Sequence, residues 1–469
     1  MSIFNEKKEI IKHIEAHQSH LGFNEKIFEI LEGDLLRHVE RSLKEQLSES
    51  SYSSAAERIP PINLFKKVNT KLSTLYVDEP LRKVSDQNES DQELVSEYIQ
   101  ELSVDSFMED LNKAFNAYKW SAIEIYEDDG LETRVLPSHQ FLPYGNDPRN
   151  PTKVTAIIKF MGTFKKIPNG RVREKEVNRY WVYSNDEFMS IDSDGELVME
   201  DMVENEGVNP FGVLPFIFVS KSRYLLVPTP DKDDLRMSIL FPVLLSDLNF
   251  AAKYLAHSVF YGIDIDSDNL KLSPDAVWIF KSDEEGKKPE VGTITPQISV
   301  TDVLGLAKEQ IASWIDTKNI KAGNIGDMDG GSASSGIAKM VDEADTTIER
   351  KAQVKFFKKV ELQFWRVLAK MHNELVGAKR IKNMKTFSDP ENLIVNVVYQ
   401  EQKPLQTRAE KIAELKLERD AGFRSTLSSI KELNPQMTQE EIDAELALMD
   451  EEGTVLTDEQ VDDSQDNNK

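Results

Sequence analysis

The chain has 469 residues, no cysteine and a formal net charge of −25 at pH 7. Its length is too great for one compact core and predicts about three modules of roughly 150 residues each. The missing cysteines exclude disulfides, zinc–thiolate sites and thiol nucleophiles, and the negative charge argues against a protein that grips nucleic acid by broad charge neutralisation. The chain has no apolar run near the roughly 20 residues that span a bilayer and no signal-peptide core, so we expect it to stay in the cytoplasm where it is made.

The first part of the chain is predicted to be mainly helical. Leu64, Val68, Leu72 and Leu75 recur at three- and four-residue spacing, which is typical of one face of a helix. Residues 51–56 are polar and are expected to form a linker. The predicted helices cover residues 2–47, 61–77 and 92–118.

The pattern changes to period two at Trp120, which indicates strands. A hairpin is predicted over residues 120–137, with its turn at Asp129 and Gly130. Further strands are expected at 153–162, 178–184 and 213–219. The order of helices and strands predicts an α+β fold.

Two helices and a short excursion between them are predicted next. The first runs from Met237 to Phe260, with Pro242 near its first turn, where a missing N–H is tolerated. Residues 263–299 indicate strands and turns, after which Thr301 is expected to cap a helix that reaches Asn319.

A Gly- and Ser-rich loop then precedes one long helix, predicted from Ile337 to about Gly377. At 1.5 Å per residue this helix is about 60 Å long. A strand is expected at 392–400, and helices near 405–420 and 425–433. Another helix should begin at Thr438 in a capping box, before an acidic tail: the last 30 residues carry twelve acids and one base.

The Gly/Ser loop, KAGNIGDMDGGSASSG, raises the question of phosphate binding. A nucleotide-binding P-loop follows a strand and contains Gly-Lys-Ser/Thr, whereas this loop follows a helix and lacks that sequence. The Rossmann spacing of glycines is absent too. Two interpretations remain: an ordinary mobile connector, and a loop that must change conformation to work.

Other motifs give weak support for ligand chemistry. His13 and His17 lie four residues apart on a predicted helix and could share a metal ion, but with His20 they are better explained as a solvated helix face. Residues 264–275 imitate a calcium loop, but Asn269 stands where glycine is expected. The sequence has no nucleophile elbow. We therefore predict no catalytic residue, no metal site and no cofactor, and a protein that is not an enzyme.

Several segments, taken in their order, resemble bacteriophage portal proteins of long-tailed double-stranded DNA phages. The resemblance covers roughly residues 60–435. The segments that carry it are NLFKKVNTKLSTLYVDEP (63–80), WSAIEIYEDDG, LPSHQFLPY (136–144), NPFGVLPF (209–216), LLSDLNFAAKYLAHS, SSGIAKMVDEADTTIERK (334–351) and VNVVYQEQKPLQTRAEKIAELKLERDAGFRST (395–426).

The resemblance implies a ring, generally of twelve subunits, around a DNA tunnel. It implies a portal-like fold with an α/β wing, a two-helix stem, a small β-containing clip, a long kinked helix and a helical crown. The expected boundaries are an N-terminal helical segment at 1–56, wing at 57–236, stem helices at 237–261 and 300–320, clip at 262–299, tunnel loop at 321–336, long helix and return strand at 337–402, crown at 403–452 and disordered acidic tail at 453–469.

The same resemblance suggests candidate site residues and partners. The clip would dock other proteins through Val277, Trp278, Ile279 and Phe280. The expected partners are further copies of the chain, the terminase large subunit, the major capsid and scaffolding proteins, a head–tail adaptor and passing double-stranded DNA, with no membrane. The protein would lie at the portal vertex of the virion after assembly in the host cytoplasm. The candidate tunnel-lining residues are Lys318, Lys321, Asn324, Gly330, Gly331, Ser332, Ser334, Ser335 and Lys339. The alternative for the three lysines is that they are solvated charges at helix ends.

Two other functions are compatible with the composition. One is a structural scaffold or adaptor protein of a virion, which would not form a ring with a central hole. The other is a nucleotide-dependent packaging enzyme, which the missing Walker pattern disfavours.

Overall fold

The computed structural model has an α+β fold, as the sequence predicts. Contacts divide the chain into two units, one of Met1–Gly331 with Asp342–Gln400 and one of Ser332–Val341 with Glu401–Lys469. The residues that the structure describes are 2–60, 62–85, 88–145, 147–166, 175–203, 206–229, 231–256, 259–263, 290–294, 300–320, 336–381, 385–400, 408–434, 437–438, 441–444 and 446–447.

Eleven α-helices lie within these ranges. They are α1 (Lys7–Glu32), α2 (Leu35–Gln46), α3 (Glu49–Ala56), α4 (Leu64–Leu72), α5 (Glu89–Glu101), α6 (Val104–Tyr118), α7 (Lys232–Ala256), α8 (Val300–Asp316), α9 (Gly336–Gly377), α10 (Arg408–Asp420) and α11 (Thr426–Leu433).

The strands pair antiparallel in four small sheets, with the orders β1-β11, β3-β2-β8, β4-β5-β6-β7 and β9-β10. They are β1 (Leu81–Val84), β2 (Trp120–Glu127), β3 (Leu131–Leu136), β4 (Phe141–Tyr144), β5 (Ala156–Lys166), β6 (Lys175–Tyr183), β7 (Phe188–Asp192), β8 (Phe216–Ser220), β9 (Val259–Ile263), β10 (Glu290–Ile294) and β11 (Val395–Val398).

Strand β2 is buried on both faces and separates two hydrophobic cores. Trp120 and Ala122 point to a core shared with α1 and the four-stranded sheet. Ile123 and Ile125 point to a core shared with α5, α6 and α9. Because side chains alternate along a strand, the two sets fall on opposite faces.

Helix α1 also belongs to two cores, but along its length. Its first half buries Ile10 and Ile14 against the four-stranded sheet. Its second half buries Ile27 and Ile30 in a third core, made with α2, α4, α6, α7 and the end of α8. Gly22 lies between the two halves.

Several predicted helix boundaries in the first part of the chain are wrong. The helical region from residue 2 is divided at Gly33, whose φ of 112° ends α1. Residues 51–56 are not a linker but part of α3, which buries Ala55. Helix α4 ends at Leu72, well before Val77. The predicted helix 92–118 is two helices, because Ser103 adopts a left-handed conformation between α5 and α6.

The hairpin and the long helix are confirmed. Asp129 (φ 52°) and Gly130 (φ 157°) form the turn between β2 and β3. Helix α9 ends at Gly377, as expected. The capping box at Thr438 is present: Glu441 N donates to Thr438 Oγ1 over 3.4 Å, and Thr438 N donates to Glu441 Oε2 over 2.8 Å. Strands β1 and β4 were not predicted.

The two helices before the Gly/Ser loop begin earlier than predicted. Helix α7 runs from Lys232 to Ala256 rather than from Met237 to Phe260, so Pro242 lies in its interior and Phe260 lies in β9. Helix α8 begins at Val300, so Thr301 lies inside the first turn and is not the cap. Between the helices, strands β9 and β10 pair antiparallel from Val259↔Ile294 to Ile263↔Glu290.

Candidate functional site: the joint between two helix ends and the anchored long helix

The beginning of α7 and the end of α8 meet, so the two helices run antiparallel. Lys318, two residues after α8, places its Nζ 2.7 Å from Asp234 Oδ1 and 3.3 Å from Asp231 Oδ2. Trp314 Nε1 donates to Asp234 Oδ1 over 3.1 Å. We call the cluster of Asp231, Asp234, Lys318, Lys119 and Lys221 the lysine–aspartate joint.

The two aspartates of the joint differ in burial and in pKa. Burial raises the pKa of Asp234, and the lysine and tryptophan contacts only partly oppose it. Burial also acts on Asp231, but the hydrogen bond and charge of Lys119 together with the charge of Lys318 outweigh it and lower its pKa. Burial acts to lower the pKa of the Lys318 ammonium, but the carboxylates of Asp234 and Asp231 together outweigh it and raise that pKa. The joint is therefore held together by ion pairs in a partly desolvated environment.

Helix α6 and the end of β8 contribute the other cations. Lys119 caps α6 with a φ of 66° and places its Nζ 2.8 Å from Asp231 Oδ1. Lys221 lies over the Phe115 ring, with its Nζ 5.2 Å from the ring centroid. Together with Glu349 of α9, these residues line a cavity of about 190 Å³.

The charged groups of the joint connect three helix ends. The three lysines of the joint face the carboxylates of Asp231, Asp234 and Glu349, so the charges in the cavity wall balance. The pairing ties the beginning of α7, the end of α6 and the end of α8 to one point. Lys318, a predicted tunnel residue, lies in this joint with only 17% of its side chain exposed.

Helix α9 is anchored by a buried charge network at its middle. Arg82 of β1 donates from Nε and Nη2 to the two carboxylate oxygens of Glu361, over 2.9 and 2.8 Å. Its Nη1 donates to Asp105 Oδ1 over 2.7 Å. The side chains of Arg82 and Glu361 are 1% and 0% exposed. A two-point contact of this kind fixes both position and orientation.

Aromatic groups complete the network around Glu361. Tyr76 and Trp365 each donate to a Glu361 oxygen over 3.1 Å. Tyr76 also shares a 2.8 Å hydrogen bond with Tyr399, just after β11. Burial raises the pKa of both tyrosines, with the Glu361 charge adding to the effect, so both remain protonated donors. The network joins α9 to β1, α6 and the segment after β11.

The outer face of α9 carries a row of lysines. Lys351, Lys355, Lys358 and Lys359 are exposed, and at about 100° per residue they fall within roughly one third of the helix circumference. None of the four forms an ion pair with any residue that the structure describes. We call this set the lysine stripe; it is a local basic surface on a chain of charge −25.

Most of the predicted site residues lie outside the described residues. These are Lys321, Asn324, Gly330, Gly331, Ser332, Ser334 and Ser335, and the clip candidates Val277, Trp278, Ile279 and Phe280. Lys339 lies in the first turn of α9. Of the predicted clip, the structure describes the pairing of β9 and β10 alone.

The predicted solvated face of histidines is wrong. His13 Nε2 lies 3.0 Å from the Pro143 carbonyl oxygen, and His17 Nδ1 lies 2.9 Å from the His13 carbonyl oxygen. His13 is partly buried against β4, and His17 and His20 are partly buried as well. The apolar spacing of Ile10 and Ile14 could have revealed this, because a buried stripe at those positions brings the neighbouring residue 13 to its edge.

Within the described ranges, no three histidine, aspartate or glutamate side chains are grouped closely enough to hold a metal ion. Across those same ranges, none of the helices combines the length and the apolar composition that crossing a bilayer requires. Sequence comparison with protein-family models gives no match for the chain, and comparison with curated proteins gives none either.

Proposed function

We propose that the chain is the subunit of a portal ring, through which double-stranded DNA enters and leaves a viral capsid. One observation carries the proposal. Antiparallel helices α7 and α8 are connected through the paired strands β9 and β10 and are followed by the 42-residue helix α9. This order matches the stem, clip and long helix that the sequence resemblance implies.

In the proposed ring, each part of the chain has a mechanical task. Helices α7 and α8 form the stem, and the segment between them is the clip that docks terminase and later a head–tail adaptor. The wing contains the cores around β2, and residues 403–452 contribute to the crown. The lysine–aspartate joint supports this proposal, because it ties the beginning of α7 to the segment just after α8. The candidate tunnel loop begins directly after that segment.

The surface charge suits a conduit. A channel should touch DNA phosphates weakly, because tight contacts would stall movement. The chain is strongly acidic overall, and the lysine stripe offers a small number of cations on one helix face. Such a surface can meet a passing duplex without clamping it.

Exposed apolar residues support association with further copies. In the described part of α10 and the turn that follows it, Leu417 is 71% exposed and Phe423 is 88% exposed. Surfaces of this kind are usually covered in an assembly. Contacts between unlike faces of identical subunits close into rings when the rotation permits.

Electron microscopy of the purified protein tests the proposal. We expect rings with a central hole, and mass measurement should give a multiple of 53.4 kDa, most simply twelve subunits. Particles without a hole would favour a scaffold or adaptor instead. A stable monomer at micromolar concentration would contradict the proposal, and nucleotide hydrolysis by that monomer would favour a packaging enzyme.

A further inference from the structure

The first half of α1 carries three histidines in a column against the four-stranded sheet. The ring centroids of His13 and His17 are 4.4 Å apart, and those of His17 and His20 are 5.7 Å apart. The Tyr144 ring of β4 meets His13 edge-on at 5.4 Å. Two neighbouring imidazoles at such distances repel each other once both are protonated.

Polar contacts fasten this half of α1, and the residues just before it, to the sheet. His13 Nε2 donates to the Pro143 carbonyl oxygen over 3.0 Å. Tyr144 donates its hydroxyl to Glu6 Oε2 over 2.7 Å. The Ile3 backbone N–H donates to Glu187 Oε2 over 2.7 Å.

The charged groups around the column do not favour its protonation. Burial and the neighbouring His17 lower the pKa of His13 to about 4, and the hydrogen bond to Pro143 only partly offsets them. Burial, His17 and Lys232 of α7 all lower the pKa of His20. Of the carboxylates on this side of α1, Glu6 binds Tyr144, Glu9 acts on Tyr144, and Glu15 acts on Tyr180 of β6.

The second half of α1 is held to α2 by contacts that do not include the histidine column. Its Glu29 forms an ion pair with Arg37 and accepts a 2.8 Å hydrogen bond from His38 of α2. Protonation of the column therefore leaves the α1–α2 contact in place.

Gly22 separates the two halves of α1. A glycine inside a helix lowers local helix stability relative to alanine. The Gly22 position has open space around it, so no packing contact requires the small residue. It also lies at the boundary between two cores, which makes it the natural place for the helix to open.

We propose that the first half of α1, residues 7–21, is an acid-released strap. Protonation of the histidine column lifts this half from the four-stranded sheet, with the opening at Gly22, while the second half stays packed on α2 and α4. The proposal does not depend on the portal function.

The direction follows from linkage. The folded pKa of His13 lies below its ordinary value of 6.5, so the docked strap is fully favoured above pH 6.5 and is lost as the pH falls from 6.5 towards 4. From His13 alone, the equilibrium constant for docking of the strap should be up to about 30-fold lower at pH 5 than at pH 8.

Hydrogen exchange followed by mass spectrometry tests the strap in the full-length protein. Labelling times at pH 8 and pH 5 are scaled for the intrinsic exchange rate. We expect the protection factors of peptides from residues 7–21 to fall at pH 5, by up to about 30-fold. Peptides from residues 23–32 of the same helix are the internal control and should keep their protection from exchange. Equal protection of residues 7–21 at both pH values overturns the proposal, as does a loss shared by both halves.

Two variants separate the column from general acid effects. His13→Gln with His17→Gln keeps a side-chain donor for Pro143 but neither glutamine can gain a proton, so the pH dependence at residues 7–21 should shrink to the part that His20 contributes. His38→Gln leaves the column intact, and the pH dependence should remain. If the double variant loses protection at pH 5 as the natural protein does, the histidines are not the cause and the proposal fails.

Discussion

Arg82 and Glu361 form an almost completely buried ion pair. Their environment decides how much this pair contributes to the stability of the fold. Removing two charges from water is costly, and their attraction repays this only with good geometry and further hydrogen bonds. Here Asp105, Tyr76 and Trp365 supply those bonds. The pair therefore matters less as a source of net stability than as a constraint on how α9 lies against β1.

Removing one partner of this pair should strongly destabilise the folded chain. We expect Arg82→Met to lower the free energy of unfolding by about 3–5 kcal/mol, because it leaves the Glu361 carboxylate buried without its partner. Urea unfolding followed by tryptophan fluorescence measures it, since Trp365 lies at the site.

The matched control is Lys113→Met, whose exposed pairs with Glu109 and Asp110 are worth at most about 1 kcal/mol. Adding Glu361→Leu to Arg82→Met should recover part of the loss, because it removes the orphaned charge. Equal losses for Arg82→Met and Lys113→Met would mean that the network is not a constraint.

At the scale of single elements, α9 presents two faces with different tasks. Phe357, Phe364 and Trp365 are fully buried on one face and form the centre of the largest core. The lysine stripe occupies the other face. A helix that is anchored on one side and basic on the other can offer charge to a polyanion without moving.

The lysine stripe should contribute to salt-dependent DNA binding. Each cation that neutralises a phosphate adds about 0.9 to the slope of log affinity against log salt. We therefore expect Lys355→Gln with Lys358→Gln to reduce the slope by about two, measured by fluorescence anisotropy with duplex DNA of random sequence. Lys66→Gln with Lys71→Gln on α4 removes the same charge from another exposed helix and should leave the slope unchanged. Identical slopes for the two double variants would exclude the stripe as the contact surface.

The elements that sequence predicts well are those with a strong local signal. The long helix α9 carries apolar residues at regular spacing from Ile337 to Met371, and the β2–β3 turn has a glycine where one is needed. The prediction for residues 51–56 was wrong because their polar side chains suggest a linker. Packing of Ala55 and Tyr52 instead holds these residues in α3. Apolar spacing also runs on across Ser103, so it hides the break between α5 and α6.

The site was less predictable because its contacts are non-local. Lys318 was singled out from the sequence, but its partner Asp231 lies 87 residues earlier in the chain. Arg82 and Glu361 are 279 residues apart. Nothing in either local pattern distinguishes these charges from the other charged residues around them, so only the folded chain identifies the pairs.

At the scale of the whole molecule, the two units differ in how well each covers its apolar surface. The three cores all lie in the first unit. In the second unit, helix α11 has no buried residue among those described, whereas Leu415 of α10 is buried. Among the described residues, the second unit thus buries few of its apolar side chains.

Truncation after Gln400 should separate folding from assembly. We expect the shortened chain to keep the helical circular dichroism and melting temperature of the first unit, because its cores remain, but to form smaller assemblies by mass measurement. A chain ending at Asp450 removes only part of the acidic end and should assemble as the full chain does. Full-size assemblies from the chain ending at Gln400 would contradict a role for the second unit in association.

Strand β2 has a further consequence for cooperativity. The apolar surfaces of two cores end on the same eight residues, so neither core can open without exposing the strand to water on that side and weakening its pairing with β3 and β8. Helix α1 contributes Ile10, Ile14 and Leu21 to one of these cores but is not paired with β2, so its first half can leave without breaking the pairing of β2 with β3 and β8. The first unit should accordingly melt in a single transition, and partial opening should be confined to elements that, like the strap, lie on its periphery.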